Sequence, residues 1–151
     1  MLRAKFNWKR LSMAGAVAYR PDRSAAAVVF QTKAGAYNDE TIASFMDELH
    51  DFLGGDKVTL VWDGLPSHRS RTMQAYVRAN RDWLVVERLP AYAPELNPVE
   101  ALWGNLKGTE LANLCVETIE QTERIAHSGA VRIGHDAGLA FAFLHHTGLS
   151  L

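Results

Sequence analysis

The chain has 151 residues, 48% hydrophobic and 22% charged, which is enough for one folded domain with its own core. No apolar run reaches the roughly 18 residues that span a bilayer, and the basic start lacks the apolar segment of a secretory signal. The lone Cys115 excludes an intrachain disulfide or a cysteine zinc site, and a net charge of −1 announces no polyanionic partner; together these features fit a cytoplasmic protein.

Charge is segregated along the chain. Arg3, Lys5, Lys9 and Arg10 precede any acid. Residues 39–56 carry Asp39, Glu40, Asp47, Glu48, Asp51 and Asp56 and no Lys or Arg. Arg69, Arg71, Arg78, Arg81 and Arg88 follow. A basic face and an acidic face would produce this pattern, and so would ordinary solvated surfaces.

In chain order, residues 11–19 and 25–32 are apolar and flank the turn 20–24, a β-hairpin signal. Residues 39–53 read as a helix. Ile42, Phe45, Met46, Leu49 and Leu53 recur at helical spacing, acids fill the first turn, and Gly54 and Gly55 end it. The β-branched run 57–62 reads as a strand buried on both faces. Ser67 is placed to cap a helix over 68–80, and residues 83–89 read as a second buried strand. Asn97 and Pro98 open a helix that ends near Lys107 and Gly108. The tail 115–146 reads as helix in two pieces with a break near Gly129, weakened by Gly134 and Gly138. The alternation implies an α/β fold with parallel strands, and the opening hairpin makes the sheet mixed.

Two carboxylates stand out. Asp63 directly follows the run 57–62, and side chains just beyond a strand's carboxyl end line the ligand crevice of α/β sheets. An Asp63-Gly64 turn explains the same residues without function. Asn97, Pro98 and Glu100 form a capping box, with Glu100 reaching back to the Asn97 N–H, so Glu100 has a structural explanation. Yet Val99, Leu102, Trp103 and Leu106 make the apolar stripe of this helix, and Glu100 and Lys107 look away from it in nearly one direction. A carboxylate pinned on a first helical turn is well placed to hold a cation.

The stretches 61–70 (VWDGLPSHRS) and 87–107 (ERLPAYAPELNPVEALWGNLK) resemble the DDE transposases of bacterial insertion sequences in the Tc/mariner superfamily. Pro90, Tyr92, Pro94, Leu96, Asn97, Pro98, Glu100, Trp103 and Lys107 all stand at that family's offsets, which is far more specific than a short motif. The resemblance implies a ribonuclease H-like fold, a mixed sheet flanked by helices with a C-terminal helical tail. It makes Asp63 the second and Glu100 the third of three metal-binding catalytic acids, with 36 residues between them. It implies Mg²⁺ or Mn²⁺ as cofactor, two-metal phosphoryl transfer, and DNA cleavage and strand transfer during transposition and recombination. DNA, as transposon ends and target, is the implied partner. His68 stands where relatives commonly carry a histidine. With Arg69, Arg71 and Lys107 it is a candidate phosphate contact, although each also reads as polar surface. Gly64 departs from the Asn of many relatives. Tyr92 and Trp103 read as packing residues, with base stacking as the alternative.

The family's first Asp lies on a first strand that precedes the hairpin. No acid occurs before Asp22, which sits in the hairpin turn. The expectation is therefore one partial catalytic domain over 1–151, truncated at its N-terminus, with the first strand missing and little activity alone. Its expected partners include the N-terminal transposase portion or a second copy. A non-catalytic remnant that binds DNA or full-length transposase is the alternative. A metal-independent hydrolase using Asp63 and His68 lacks the nucleophile elbow such an enzyme needs.

Overall fold

A computed structural model describes residues 11–64, 66–112 and 118–150. The basic stretch 1–10, Cys115 and the start of the expected tail helix at 115–117 lie outside the described residues.

Strands β1 (Leu11–Tyr19) and β2 (Ala26–Ala34) form the expected hairpin, antiparallel from Leu11 opposite Ala34 to Tyr19 opposite Ala26. Its turn is closed by the Arg20 N–H on the Ala25 carbonyl (2.9 Å) and the Ser24 N–H on the Asp22 carboxylate (2.9 Å). Period-two alternation gives the hairpin two apolar faces. Ala14, Ala16 and Val29 join a core with Phe45, Met46 and Leu49, while Val17, Val28 and Phe30 join a second core with Leu102, Leu106, Ile133 and Phe143.

The first of these cores rests on helix α1 (Asp39–Phe52). A reciprocal cap starts it: Asn38 Oδ1 accepts from the Thr41 N–H (2.9 Å) and Thr41 Oγ1 accepts from the Asn38 N–H (2.8 Å). Beyond the helix, Gly54 and Gly55 take positive φ, +69° and +79°, as glycine there should. Strands β3 (Val58–Trp62) and β4 (Leu84–Arg88) pair in parallel, from Val58 opposite Leu84 to Trp62 opposite Arg88, through helix α2 (Arg71–Ala79). The α2 cap is Ser70, whose Oγ accepts from the Met73 N–H (3.1 Å), three residues later than the expected Ser67. A short 3-10 turn, Pro66–Arg69, takes up the difference.

The second core belongs to helices α3 (Pro98–Gly108), α4 (Ile119–Gly134) and α5 (Ala137–Thr147). The tail breaks at His135 and Asp136, not at Gly129. Asp136 accepts from the Leu139 N–H (2.9 Å) and starts α5. Gly129 stays inside α4 because a Cβ there would collide with Leu106 and Glu110, so it permits close helix packing and breaks nothing. Among the described residues, no helix is long and apolar enough to cross a membrane.

Two expectations about the sheet change. β3 and β4 are buried on one face only: Leu60, Val86 and Leu84 meet the α1 core, whereas Val61 is 42% and Val85 53% exposed. The reason is that α3, α4 and α5 cover the hairpin and not this pair. The strands also form two separate ladders among the described residues, β1 with β2 and β3 with β4, instead of one mixed sheet. Residues 12–19 on β1 and 58–62 on β3 both line one groove of about 1360 Å³, together with Phe45, Met46 and Leu49 of α1 and Val99 and Trp103 of α3.

Candidate metal centre

Asp63 is the first residue past β3, and its half-exposed carboxylate opens on the groove. The 3-10 turn folds the chain back so that His68 reaches it. His68 Nδ1 lies 3.1 Å from Asp63 Oδ1 and 3.1 Å from the Asp63 main-chain oxygen, so an Nδ1–H donates to Asp63. The imidazole lies flat on the Trp62 indole, with centroids 4.2 Å apart and planes 6° off parallel. Trp62 itself is buried on the last position of β3. Thus the strand end, an aromatic stack and a hydrogen bond together fix the Asp63 side. Trp62 escaped the sequence reading, which treated it as one more strand residue. Its indole N–H is buried with no partner among the described residues, and Trp62 also lines the groove.

Glu100 enters from α3. Asn97 caps this helix by accepting from the Val99 N–H (3.2 Å), but the capping box does not close. The Asn97 N–H donates instead to the Pro94 carbonyl (2.9 Å), so the donor that Glu100 would satisfy is already taken. Glu100 is exposed, and among the described residues no hydrogen bond or ion pair engages its carboxylate. It opens on the same groove as Asp63, His68 and Asn97. At the N-terminal turn of α3 its negative charge also suits the helix dipole.

The structure therefore brings Asp63, His68 and Glu100 to one groove, from a strand end, a 3-10 turn and a helix start. It does not bring Arg69, Arg71 or Lys107 to that wall. Arg69 and Arg71 are exposed on the segment after His68. Lys107 is exposed two turns along α3 from Glu100 and so on nearly the same helical face. Asp22, at the hairpin turn, does not line the groove. Among the described residues, no three or more His, Cys, Asp or Glu side chains gather closely enough to hold an ion. The Asp63 and Glu100 carboxylates each offer hard oxygen donors of the kind Mg²⁺ and Mn²⁺ take.

Trp103 packs as expected. Its ring tilts against Phe30, with centroids 6.0 Å apart, and overlies Gly15. Tyr92 does not pack: it is fully exposed at 101%.

Residues 2–123 match the family described as DDE superfamily endonuclease. No curated protein sequence matches the chain. Among solved structures, the catalytic domain of Mos1 mariner transposase is 15% identical, with a TM-score of 0.52 over 99% of this chain and 87% of that one. The Mos1 transposase paired-end complex with left transposon end gives 15% identity and a TM-score of 0.57 over 97% of this chain and 56% of that one. A chain of the simian T-cell lymphotropic virus intasome, solved with PP2A regulatory subunit B56 gamma, gives 15% and 0.57 over 82% and 48%. The chain thus spans about half of the longer proteins it matches. These likenesses establish the transposase catalytic-domain fold, the ribonuclease H-like mixed α/β class expected from the motifs.

Proposed function

The chain belongs to the DDE superfamily endonucleases, and from that premise we propose that it is the larger part of a single transposase catalytic domain that acts on DNA in the cytoplasm. Solved Mos1 transposase structures include a paired-end complex with left transposon end and catalytic domains with Mn and with Mg. We extend those partners to this chain: DNA as transposon end and target, and Mg²⁺ or Mn²⁺ as cofactor. The observation that carries the reading is the shared opening of Asp63 and Glu100 on one groove, with Glu100 released from its capping role.

In this reading Asp63 and Glu100 are the metal-binding catalytic carboxylates. His68 holds the Asp63 carboxylate in one orientation. Bound divalent ions would supply electrostatic stabilisation of in-line phosphoryl transfer and a lowered pKa for the attacking hydroxyl. The chain's own task is to present two oxygen donors at fixed positions and to bind the DNA backbone beside them. Arg69, Arg71 and Lys107, exposed on the flanks, are the candidate phosphate contacts, with His68 as a further one.

A second reading is favoured by two observations. Among the described residues no cluster of three or more His, Cys, Asp or Glu side chains that could hold an ion is found, and the groove lies between two short sheets. The groove between the two ladders leaves room for a further strand. The chain then pairs with a strand from the N-terminal transposase portion, or from a second copy, and without it binds DNA or intact transposase and does not cut.

The test mixes the chain with the purified first-strand segment of a family member, Mg²⁺ and transposon-end DNA. The enzymatic reading expects cleavage that is lost on Asp63→Ala. DNA binding without cleavage, whatever segment is added, leaves only the second reading. No binding to DNA or to transposase removes both.

A further inference from the structure

The loop between β4 and α3 holds Tyr92 in an unfavourable state. Its φ is +58°, the left-handed region that a bulky side chain avoids. It is the second residue of a two-residue turn over 91–92, a place where Gly or Asn is the usual choice when φ is positive. Its ring is fully exposed. Neither packing nor a hydrogen bond among the described residues offsets the strain. Among the described residues the other non-glycine with positive φ is Arg23, which closes the hairpin turn through its N–H on the Arg20 carbonyl. Tyr92 closes nothing comparable. A strained, exposed aromatic held by its neighbours points to a role outside the fold.

Its place suggests the role. The Leu89 N–H donates to the Trp62 carbonyl (2.9 Å), which keeps the end of β4 level with Trp62 and the adjoining Asp63. Tyr92 is three residues on, so its Cα lies within about 11 Å of that of Leu89. The loop then closes through the Leu96 N–H on Ala93 O (3.1 Å) and the Asn97 N–H on Pro94 O (2.9 Å) into the turn that bears Glu100. Pro90 and Pro94 flank the tyrosine and limit the loop's freedom. Arg88, at the end of β4, is exposed four residues before it.

We infer that Tyr92 is a stacking platform for an unpaired nucleobase of a DNA strand that passes the two carboxylates, with Arg88 facing the adjoining phosphates. The inference rests on the reading that this edge faces DNA. Every base offers a π face, so the platform is expected to be tolerant of sequence and to require a base out of its duplex stack.

The test uses the full chain and a single-stranded oligonucleotide carrying 2-aminopurine, with the paired duplex as control. Wild type and Tyr92→Phe are expected to quench the probe in the single strand and to bind it alike. Tyr92→Ala is expected to lose the quenching and to bind roughly 5- to 150-fold more weakly, as the loss of one stacked base implies. Tyr92→Gly removes the ring and also relieves the positive φ. It should therefore bind like Tyr92→Ala while its urea midpoint rises above wild type, a pairing of opposite signs that a structural role does not produce. Unchanged quenching and affinity in Tyr92→Ala and Tyr92→Gly, beside normal wild-type binding, overturn the platform and leave the DNA reading standing. Absence of wild-type binding to both probes overturns the DNA reading and the platform with it.

Discussion

Gly15 on β1 gives a sharp test of how the groove wall is built. A Cβ at this position would stand 2.8 Å from Trp103 Cη2, 3.2 Å from Trp103 Cζ2 and 3.3 Å from Leu102 Cδ2. Ordinary carbon contacts are near 3.5–4.0 Å, so Gly15→Ala requires a shift of about 0.7 Å or more in the indole or in α3. Overpacking of this kind costs typically 1–3 kcal/mol. Alanine restricts the unfolded chain, which offsets about 0.4–1 kcal/mol. The net expectation is a loss of about 1–2 kcal/mol, read from the urea midpoint by far-ultraviolet circular dichroism. Trp103→Phe removes the two indole atoms that clash. Gly15→Ala in the Trp103→Phe background is therefore expected to cost less than in wild type, with a coupling of about 1 kcal/mol in a double-mutant cycle. Simple additivity, or a Gly15→Ala chain more stable than wild type, would show that Gly15 does not make room for α3, the helix that carries Glu100.

Two further outcomes follow from interactions across the fold. The Tyr19 hydroxyl donates to the Ala140 carbonyl (2.6 Å), tying β1 to α5, and burial raises its pKa to about 12. Tyr19→Phe is expected to cost about 1 kcal/mol at neutral pH. A raised pKa means this contribution is complete below the unfolded value of 10.0 and is lost as pH rises through the folded one, so the variant's alkaline unfolding limb should be shallower than wild type. An identical limb in both chains would contradict this. The Arg132 hydrogen bond on Glu110 (2.5 Å) holds that carboxyl below its ordinary value of 4.5. A lowered carboxyl contributes above the unfolded pKa and loses its contribution as pH falls through the folded one. Glu110→Gln should therefore flatten the acid limb of the urea midpoint against pH below about 4.5, and an unchanged limb would mean the pair does not stabilise the fold.

Local patterns revealed most of the elements. Ile42, Phe45, Met46, Leu49 and Leu53 mark one face of α1, and Gly54 and Gly55 mark its end, because those signals depend on the helix alone. The faces of β3 and β4 were not readable in the same way. Val61 and Val85 are as apolar as their neighbours, and only the docking of α3 to α5 over the hairpin decides that they stay exposed. Ser67 and Ser70 are both plausible caps. The return of His68 to Asp63 through the 3-10 turn settles the choice in favour of Ser70, and that contact is tertiary. Gly129 reads as a breaker until Leu106 and Glu110 are placed against it. At the site, Asp63 was legible from its position after an apolar run. Glu100 was ambiguous, because the sequence does not show that the Pro94 carbonyl takes the Asn97 N–H. The Trp62–His68 stack had no sequence signal, since a tryptophan ending a strand is ordinary core.

The central claim is tested most directly by Mn²⁺ titration, followed by electron paramagnetic resonance, of wild type, Asp63→Asn, Glu100→Gln and the double variant. Changes behind a metal ligand already cost roughly 10–100-fold in affinity, so loss of either carboxylate is expected to weaken binding about tenfold or more. Because both are expected to hold the same ions, the double variant should fall well short of the product of the two single losses. Wild-type affinity in either single variant, or two losses that multiply as independent sites do, would contradict the account.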